Sequence, residues 1–502
     1  MISNLTLVLI FILLTLIFYL IVHFKKRYEY WHKLAVPYVG ISGDIIFETR
    51  KTKAEALQDR YNELAPEPFG GFFQAAVPFL IVRDPELIRT VLIKDFSHFT
   101  DRATVFNEEI DPLNSHIFLL KGQRWKNIRT KLAPTFTSGK LRAMFPLMEQ
   151  CTDVLNGYLE DQLDSCAEIE VQQLMMQFAI DVIGTCAFGF NCNAISGSES
   201  EFRAVARKMR PGFLKFRLRH VLNSISPKIP WLGWKGMNQE VEDFFMEVTR
   251  EAIRHREENE NKRTDFMQLL INLQHEERKA LQGDTELVFS DYIIAAQVFV
   301  FFVAGFETIS TTLATCLYEL ALNPEVAKKI HDEIERVLEA RGGKLDYDAL
   351  KQMRYMECVI EETLRKYPPL GFLERTCTKA YELPNSHVLI KEGTRVAIPV
   401  YALHHDPQYF PKPEKFDPDR FNDVNRSRIV PGTYLPFGDG PRICIGMRFA
   451  LMEARAALTL IMKNYTVHAT PRTQIPLTFD KKPLLLTRPE GGVFLRFQKR
   501  EN

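Results

Sequence analysis

This chain has little charge of one sign and no cysteine pattern. It has 64 lysines and arginines against 63 aspartates and glutamates, a net charge of +1, which gives no argument for nucleic acid as a partner. Its eight cysteines (151, 166, 186, 192, 316, 358, 377 and 444) contain no C-x-x-C and no zinc spacing. In so long a chain they read as reduced thiols in a cytosol-facing domain. No Gly/Ser-rich or Pro-rich linker is long enough to separate domains, and no repeat of 20–50 residues appears. Neither G-x-G-x-x-G nor a P-loop is present, so no nucleotide site is indicated. Length alone, 502 residues, would suggest about three domains. Without linkers, one large and mostly helical domain is the better reading, and 46% hydrophobic residues supply its core.

One long apolar run is present, at the N-terminus. Leu5 to Val22 is apolar apart from Thr6, Thr15 and the amphipathic Tyr19, and Lys25-Lys26-Arg27 comes next. Eighteen such residues are enough to span a bilayer, and the basic cluster places the rest of the chain on the cytosolic side. A cleaved signal peptide would carry a basic n-region and a small-residue cleavage site, and neither is seen. A mitochondrial presequence would be Arg-rich and amphipathic. Residues 1–27 are therefore read as an endoplasmic reticulum anchor, and 28–502 as the body of the protein.

A polar connector with Pro37 leads to Phe79-Leu80-Ile81-Val82, a short strand. Helical patterns then dominate. One runs from Ser290 to Leu322, with Ser290-Asp291 as N-cap pair, and Asn323 is predicted to cap the next helix with Pro324 at its first position. That helix shows a one-faced pattern of Val326, Ile330, Ile334, Val337 and Leu338. Another carries Met356, Val359, Ile360 and Leu364 and ends at Pro368-Pro369. Residues 371–400 read as short strands, as does Val493 to Phe497. The fold class is mainly α with a small β portion, α+β.

The most informative segment is Phe437-Gly438-Asp439-Gly440-Pro441-Arg442-Ile443-Cys444-Ile445-Gly446. It reads F-x-x-G-x-R-x-C-x-G, a coincidence on the order of once in ten thousand chains of this length at average residue usage. A single cysteine in a glycine-bounded loop, ahead of helical composition from Met447 to Asn464, suits a thiolate favoured by a helix N-terminus. The alternative is a small buried cysteine in a Gly-Pro turn. The segment resembles the haem-binding loop of the cytochrome P450 superfamily, the haem-thiolate monooxygenases. The resemblance implies haem b with Cys444 as axial iron ligand, a thiolate that favours O–O cleavage. It also implies Arg442 beside a haem propionate, Phe437 against the sulfur, and Gly438, Gly440 and Gly446 allowing close approach to the macrocycle.

The remaining motifs occur in the family's order. Ala304-Gly305-Phe306-Glu307-Thr308 resembles its oxygen-activation motif. There Gly305 would let the helix approach the haem face, and a bond from Thr308 to a carbonyl one turn earlier would open the helix to water. Glu307 and Thr308 would then deliver protons as the catalytic pair; the alternative is a buried helix with a packing glycine. Glu362-x-x-Arg365 is a spacing shared with Glu247/Arg250, Glu251/Arg254, Glu260/Arg263 and Glu333/Arg336, which read as surface pairs. The family closes this pair with an arginine from a later segment, here Arg420, into a structural network. Trp125 with Arg129 on one helix face, Arg102 and Arg375 match propionate partners. Lys121, Arg124, Lys126, Lys131 and Arg448 are either a docking face for an acidic reductase or a solvated surface. Val105, Phe106, Ile117, Phe118, Phe299, Phe302, Ala304, Leu370, Phe372 and Leu485 are candidates for a lipophilic pocket or for core. Met209 to Trp234, basic and aromatic, reads as an access lid touching the membrane.

By resemblance the chain is similar to microsomal animal enzymes of the xenobiotic-metabolising branch, insect detoxification members in particular. One atom of dioxygen would enter an apolar small molecule and the other become water. Electrons would come from NADPH through a separate flavoprotein, an NADPH–cytochrome reductase, with cytochrome b5 as a further donor candidate. Endogenous lipid or hormone hydroxylation shares every motif. A haem-thiolate isomerase would not need Glu307-Thr308, and a haem sensor would be indifferent to Thr308→Ala.

Overall fold

The computed structural model of the chain describes residues 4–40, 48, 50–103, 107–163, 168–197, 200–209, 235–258, 265–280, 289–483 and 485–500. The apolar N-terminal run forms one helix, α1 (Asn4–Tyr28), closed by Lys25, Lys26 and Arg27 in its last turn. Its apolar side chains face outward: Phe11 and Phe18 are 71% and 69% exposed. The other longer helices are α2 (Lys53–Glu63), α3 (Gly122–Leu132), α4 (Ser138–Leu163), α5 (Val171–Ile183), α6 (Gln239–Glu258), α7 (Phe266–Ala280), α8 (Asp291–Leu322), α9 (Pro324–Glu339), α10 (Arg354–Lys366) and α11 (Met447–Asn464).

The strands are few and short. β1 (Phe69–Gln74), β2 (Val77–Val82), β4 (Leu373–Thr376) and β7 (Arg395–Ile398) form a sheet in the order β1-β2-β7-β4. β1 and β2 are an antiparallel hairpin, β2 runs parallel to β7, and β4 is antiparallel to β7 with Arg375 opposite Val396. β3 (Ile169–Glu170), β9 (Phe494–Lys499) and β8 (Tyr465–Ala469) make a second sheet, and β5 (Tyr381–Glu382) with β6 (Leu389–Ile390) a third. This is the helix-heavy α+β architecture read from the sequence.

Two large apolar cores result, beside a small third cluster of Cys358, Phe410 and Phe421. The larger is built on α8 with α4, α5, α6, α7 and α11, and the smaller lies under the four-stranded sheet around Trp31, Leu57, Phe72 and Phe79. A helix apolar on all sides belongs inside a protein or a membrane, and burial decides which. α5 with its C-terminal extension and α8 are long and apolar enough to cross a bilayer, yet 78% and 61% of their windows are buried inside the protein. The α1 window is 0% buried and is the candidate membrane anchor.

Ser290 caps α8 by accepting from Ile293 N, whereas Asn323 does not cap α9 with its side chain. Its amide nitrogen turns back to donate to Glu319 O at 2.8 Å and Glu319 Oε2 at 3.1 Å, a buried acceptor that outcompetes the helix terminus. Pro399-Val400 is not strand but the start of a short helix, Val400–His404. Glu333 does approach Arg336, at 3.9 Å, but it is buried rather than a solvated surface group, and its carboxylate accepts from Tyr355 N and Met356 N at 2.8 and 2.9 Å, capping α10. The Glu260/Arg263 pair and Val105, Phe106 and residues 210–234 lie outside the described residues.

Candidate active site

Cys444 ends a tight loop whose shape glycine makes possible. Gly438 and Gly440 have φ of +73° and +70°, where an L side chain is strained. At Gly440 a Cβ would also stand 2.0 Å from Leu92 O. The loop closes by a bond from Cys444 N to Phe437 O at 2.9 Å, and α11 begins soon after, at Met447, with Gly446 as N-cap. Cys444 lies deep in the protein, yet its surface is exposed, unlike that of the other described cysteines, which are buried. Depth together with exposure means that the sulfur faces an internal void. Burial raises the thiol pKa. The N–H groups of Gly446 and Met447 and the charges of Arg129 and Arg102 oppose that rise without cancelling it.

Four guanidinium groups gather at one side of this void. Arg442 donates to Thr100 O at 2.7 Å and Leu120 O at 2.8 Å, and lies 4.1 Å over the Trp125 ring. Arg102 donates to Phe118 O at 2.8 Å and stacks 3.9 Å from the Phe118 ring. Arg375, on β4, donates to Glu374 O. Arg129, one turn along α3 from Trp125, completes the group. Burial, and after it the neighbouring like charges, pushes Arg102 well down and Arg442 to about 9; burial alone takes Arg375 to about 10. Asp101 sits 3.8 Å from Arg442 and also accepts from Gly122 N at 2.9 Å. Arg375 Nε and Arg442 Nη1 are buried and have no hydrogen-bond partner among the described residues. Orphaned guanidinium donors around one carboxylate leave a site for further anionic charge.

Behind the loop, Glu362 and Arg365 on α10 are both fully buried and bidentate, at 2.7 and 2.9 Å. Glu362 Oε1 also accepts from Asp417 N at 2.9 Å and Arg420 Nε at 3.3 Å. Arg365 donates onward to His404 O and Pro413 O. His404 carries no signal in the sequence. Its Nε2 accepts from Leu435 N at 2.9 Å, so Nδ1 carries the proton and donates to Arg365 O at 3.1 Å. Burial and nearby positive charge keep it neutral. One imidazole thus joins the charge network to the root of the cysteine loop.

Residues 35–496 match the family described as Cytochrome P450. The chain belongs to the cytochrome P450 family. It is 37% identical to "Cytochrome P450 6a2" of Drosophila melanogaster over 98% of this chain and 99% of that protein. It is also 37% identical to "Cytochrome P450 6j1" of Blattella germanica, over 99% and 98%. "Probable cytochrome P450 6a14" of Drosophila melanogaster is 36% identical over 94% and 96%. The protein is accordingly a haem-thiolate monooxygenase. Its residues fit the haem: a thiol open to an internal void, and orphaned guanidinium donors at one side of it for two carboxylates.

The distal helix of this P450 differs from expectation in two ways. Thr308 Oγ1 does donate to Ala304 O, at 2.7 Å, but α8 stays α-helical from Asp291 to Leu322. A carbonyl has two lone pairs, so the hydroxyl is accommodated without breaking the ladder. Gly305 does not open the helix toward the haem. A Cβ there would meet Ile183 Cγ1 at 2.9 Å, so the glycine lets α5 pack against the far side of α8. It is Ala304, exposed within a buried helix, and Thr308 one turn on that face the void. Phe299 is half-buried, with rings of His116 and Phe245 at 6.1 and 5.3 Å. Phe302 is fully buried among Phe202, Phe245 and Phe306 and is core. Phe372 is core too, in the sheet cluster with Lys53 Nζ 4.3 Å over its ring. Strand alternation turns its neighbour Leu373 the other way, 3.7 Å from where a Gly438 Cβ would stand. Leu370 is half-buried and Leu485 46% exposed. Both are placed by Thr487, whose N–H donates to Pro369 O at 2.9 Å.

Proposed function

We propose that this P450 oxidises lipophilic small molecules, xenobiotics such as plant toxins and insecticides, at the void between Cys444 and the Ala304–Thr308 face of α8. A bound haem supplies the thiolate-ligated iron at which dioxygen is activated. The chain's own residues have separate tasks. Cys444 would hold the haem iron, with Phe437 and Gly438 shaping its loop. Arg102, Trp125, Arg129, Arg375 and Arg442 would receive the propionates. Glu362, Arg365 and Arg420 hold the loop rigid from behind. Thr308's hydroxyl proton is committed to Ala304 O, so its oxygen acts first as an acceptor and passes a proton on only when one arrives. Glu307, the adjacent acid on the helix, is the group to supply it.

The observation that carries this reading is the nature of the lining. Arg102 stacks on the Phe118 ring, buried His116 lies 6.4 Å from Phe118 and 6.1 Å from Phe299 of α8 between rings, and Ala304 is exposed on the same helix. Beyond the charged cluster, Phe118, Phe299 and Ala304 offer aromatic and apolar surface, which supports a lipophilic ligand. The names of the insect relatives agree with it in family alone. Electrons come from NADPH through a separate flavoprotein reductase, with cytochrome b5 as an additional donor. The reductase docks on the exposed Lys121, Arg124, Lys126 and Lys131 with Arg448. α1 anchors residues 28–502 to the cytosolic face of the endoplasmic reticulum.

The reduced, carbon-monoxide-bound absorption spectrum tests thiolate ligation, and Cys444→Ser should abolish its red-shifted band. Spectral titration with a lipophilic panel, followed by NADPH and oxygen consumption measured against product, tests the substrate class. A wild-type protein that binds none of the panel would refute it.

A further inference from the structure

Gln297 is fully buried in α8, between Ala296 and Val298, which are also buried. A polar amide in such a place costs free energy unless every atom is hydrogen-bonded, and an apolar residue would pack there without that demand. Its bonds are complete. Gln297 Oε1 accepts from Ile117 N at 2.9 Å, and Nε2 donates to Ser115 O at 3.1 Å and to Ile293 O at 3.2 Å. The carboxamide therefore grips one residue from both sides, as a neighbouring strand would, and that residue is His116.

We infer that Gln297 is a specificity-determining positioning residue, which fixes where the 115–118 stretch sets the ceiling of the substrate pocket. The stretch has no regular secondary structure beyond the short turn Pro112–Asn114. Beside its own turn, in which Leu119 N and Leu120 N donate to His116 O at 3.0 and 2.9 Å, two side chains from elsewhere in the fold give it a defined place. One is Gln297; the other is Arg102, bonded to Phe118 O and stacked on its ring. Between them the His116 ring lies between those of Phe118 and Phe299, at 6.4 and 6.1 Å. Loss of the Gln297 tie frees the backbone of Ile117 and lets the Phe118 ring change its depth over the pocket. The guanidinium cluster, the cysteine loop and the α10 network are left as they were. The inference rests on the reading of the void as a pocket for lipophilic molecules.

Full-length, haem-loaded protein carrying Gln297→Met or Gln297→Glu tests it. Methionine has the length without donors or acceptors, and glutamate keeps the acceptor for Ile117 N but loses the donor to Ser115 O. Haem content and the carbon-monoxide spectrum should match wild type. Hydrogen exchange at the Ile117 amide should speed up in the methionine variant and stay slow in the glutamate variant, while amides of α8 remain protected. For a panel of slender and bulky apolar ligands, the ratio of dissociation constants should shift about five-fold with methionine, the equilibrium equivalent of one neutral hydrogen bond. Phe118→Ala should reorder the same ligands, and the double variant should add little. Unchanged exchange at Ile117, or one uniform factor for every ligand, would overturn the inference, as would loss of haem in both variants. A wild type that binds no panel ligand would instead refute the pocket reading, with the exchange result still deciding the role of Gln297.

Discussion

Glu362→Gln should unfold this protein's haem site while leaving its surface untouched. The carboxylate is fully buried and neutralises an equally buried Arg365 through two short bonds, while also accepting from Asp417 N and Arg420 Nε. Glutamine keeps the shape, removes the charge and points an amide N–H₂ at a guanidinium. Arg365 is then left inside the protein with the carbonyls of His404 and Pro413 and at most one bond to the amide oxygen, and with no buried negative charge in Glu362's place. Removing one partner of a buried pair costs about 3–5 kcal/mol, because the other charge stays behind. Against a total stability of about 5–15 kcal/mol, that is a large share, roughly a thousand-fold in the folded-to-unfolded ratio at mid-range. Urea denaturation followed by far-ultraviolet circular dichroism and by haem absorbance would measure it, with the haem-to-protein ratio as a second readout. Asp332→Asn is the control: its pair with Lys328 lies on the surface, and its midpoint should not move. Equal midpoints and equal haem content in Glu362→Gln and wild type would refute the assignment of the network as the brace of the loop.

Gly440→Ala should prevent haem incorporation, since its Cβ would collide with Leu92 O at a positive φ; normal haem loading would contradict this. Thr308→Ala should load haem normally, yet release more peroxide and lose roughly ten-fold or more in product rate, measured as product per NADPH; unchanged coupling would refute the relay. His405 stacks on Tyr401, and burial with the Arg365 charge lowers its pKa to about 4, while burial takes His116 to about 3. The unfolded chain binds these protons first, so stability is complete above about pH 6.5 and falls as pH drops toward 4. His405→Phe should flatten that fall in denaturation midpoints between pH 6.5 and 4, and an unaltered slope would exclude His405 as a contributor.

Much of the fold is legible in the sequence because its signals are local. Ser290 caps α8, Pro324 opens α9, and the cysteine loop is written in consecutive residues. Apart from Asn323, drawn back to Glu319 one turn away, the departures below depend on a neighbour distant in the chain. Gly305 looks the same in sequence whether it faces a cofactor or Ile183, and only the packing of α5 decides. Glu333 and Arg336 have the i, i+3 spacing of a surface pair, but the N-terminus of α10 claims the carboxylate. Phe302 and Phe372 are aromatic residues near the expected site, and each turns to the core side of its element. His404 and Gln297 have no motif at all. Each matters through a backbone group distant in sequence, Leu435 N and Ile117 N, and backbone groups leave no mark on residue identity.

The four guanidinium groups beside Asp101 have a consequence for the life of the protein in the cell. Positive charges held together repel, and folding without a dianionic partner must bear that repulsion. Haem is then less a ligand added to a finished enzyme than the last part of its core. By mass action the folded population rises with free haem. Newly made chains should mature only as fast as haem is supplied to them. In haem-starved cells the protein should be short-lived, cleared by proteolysis while its message persists.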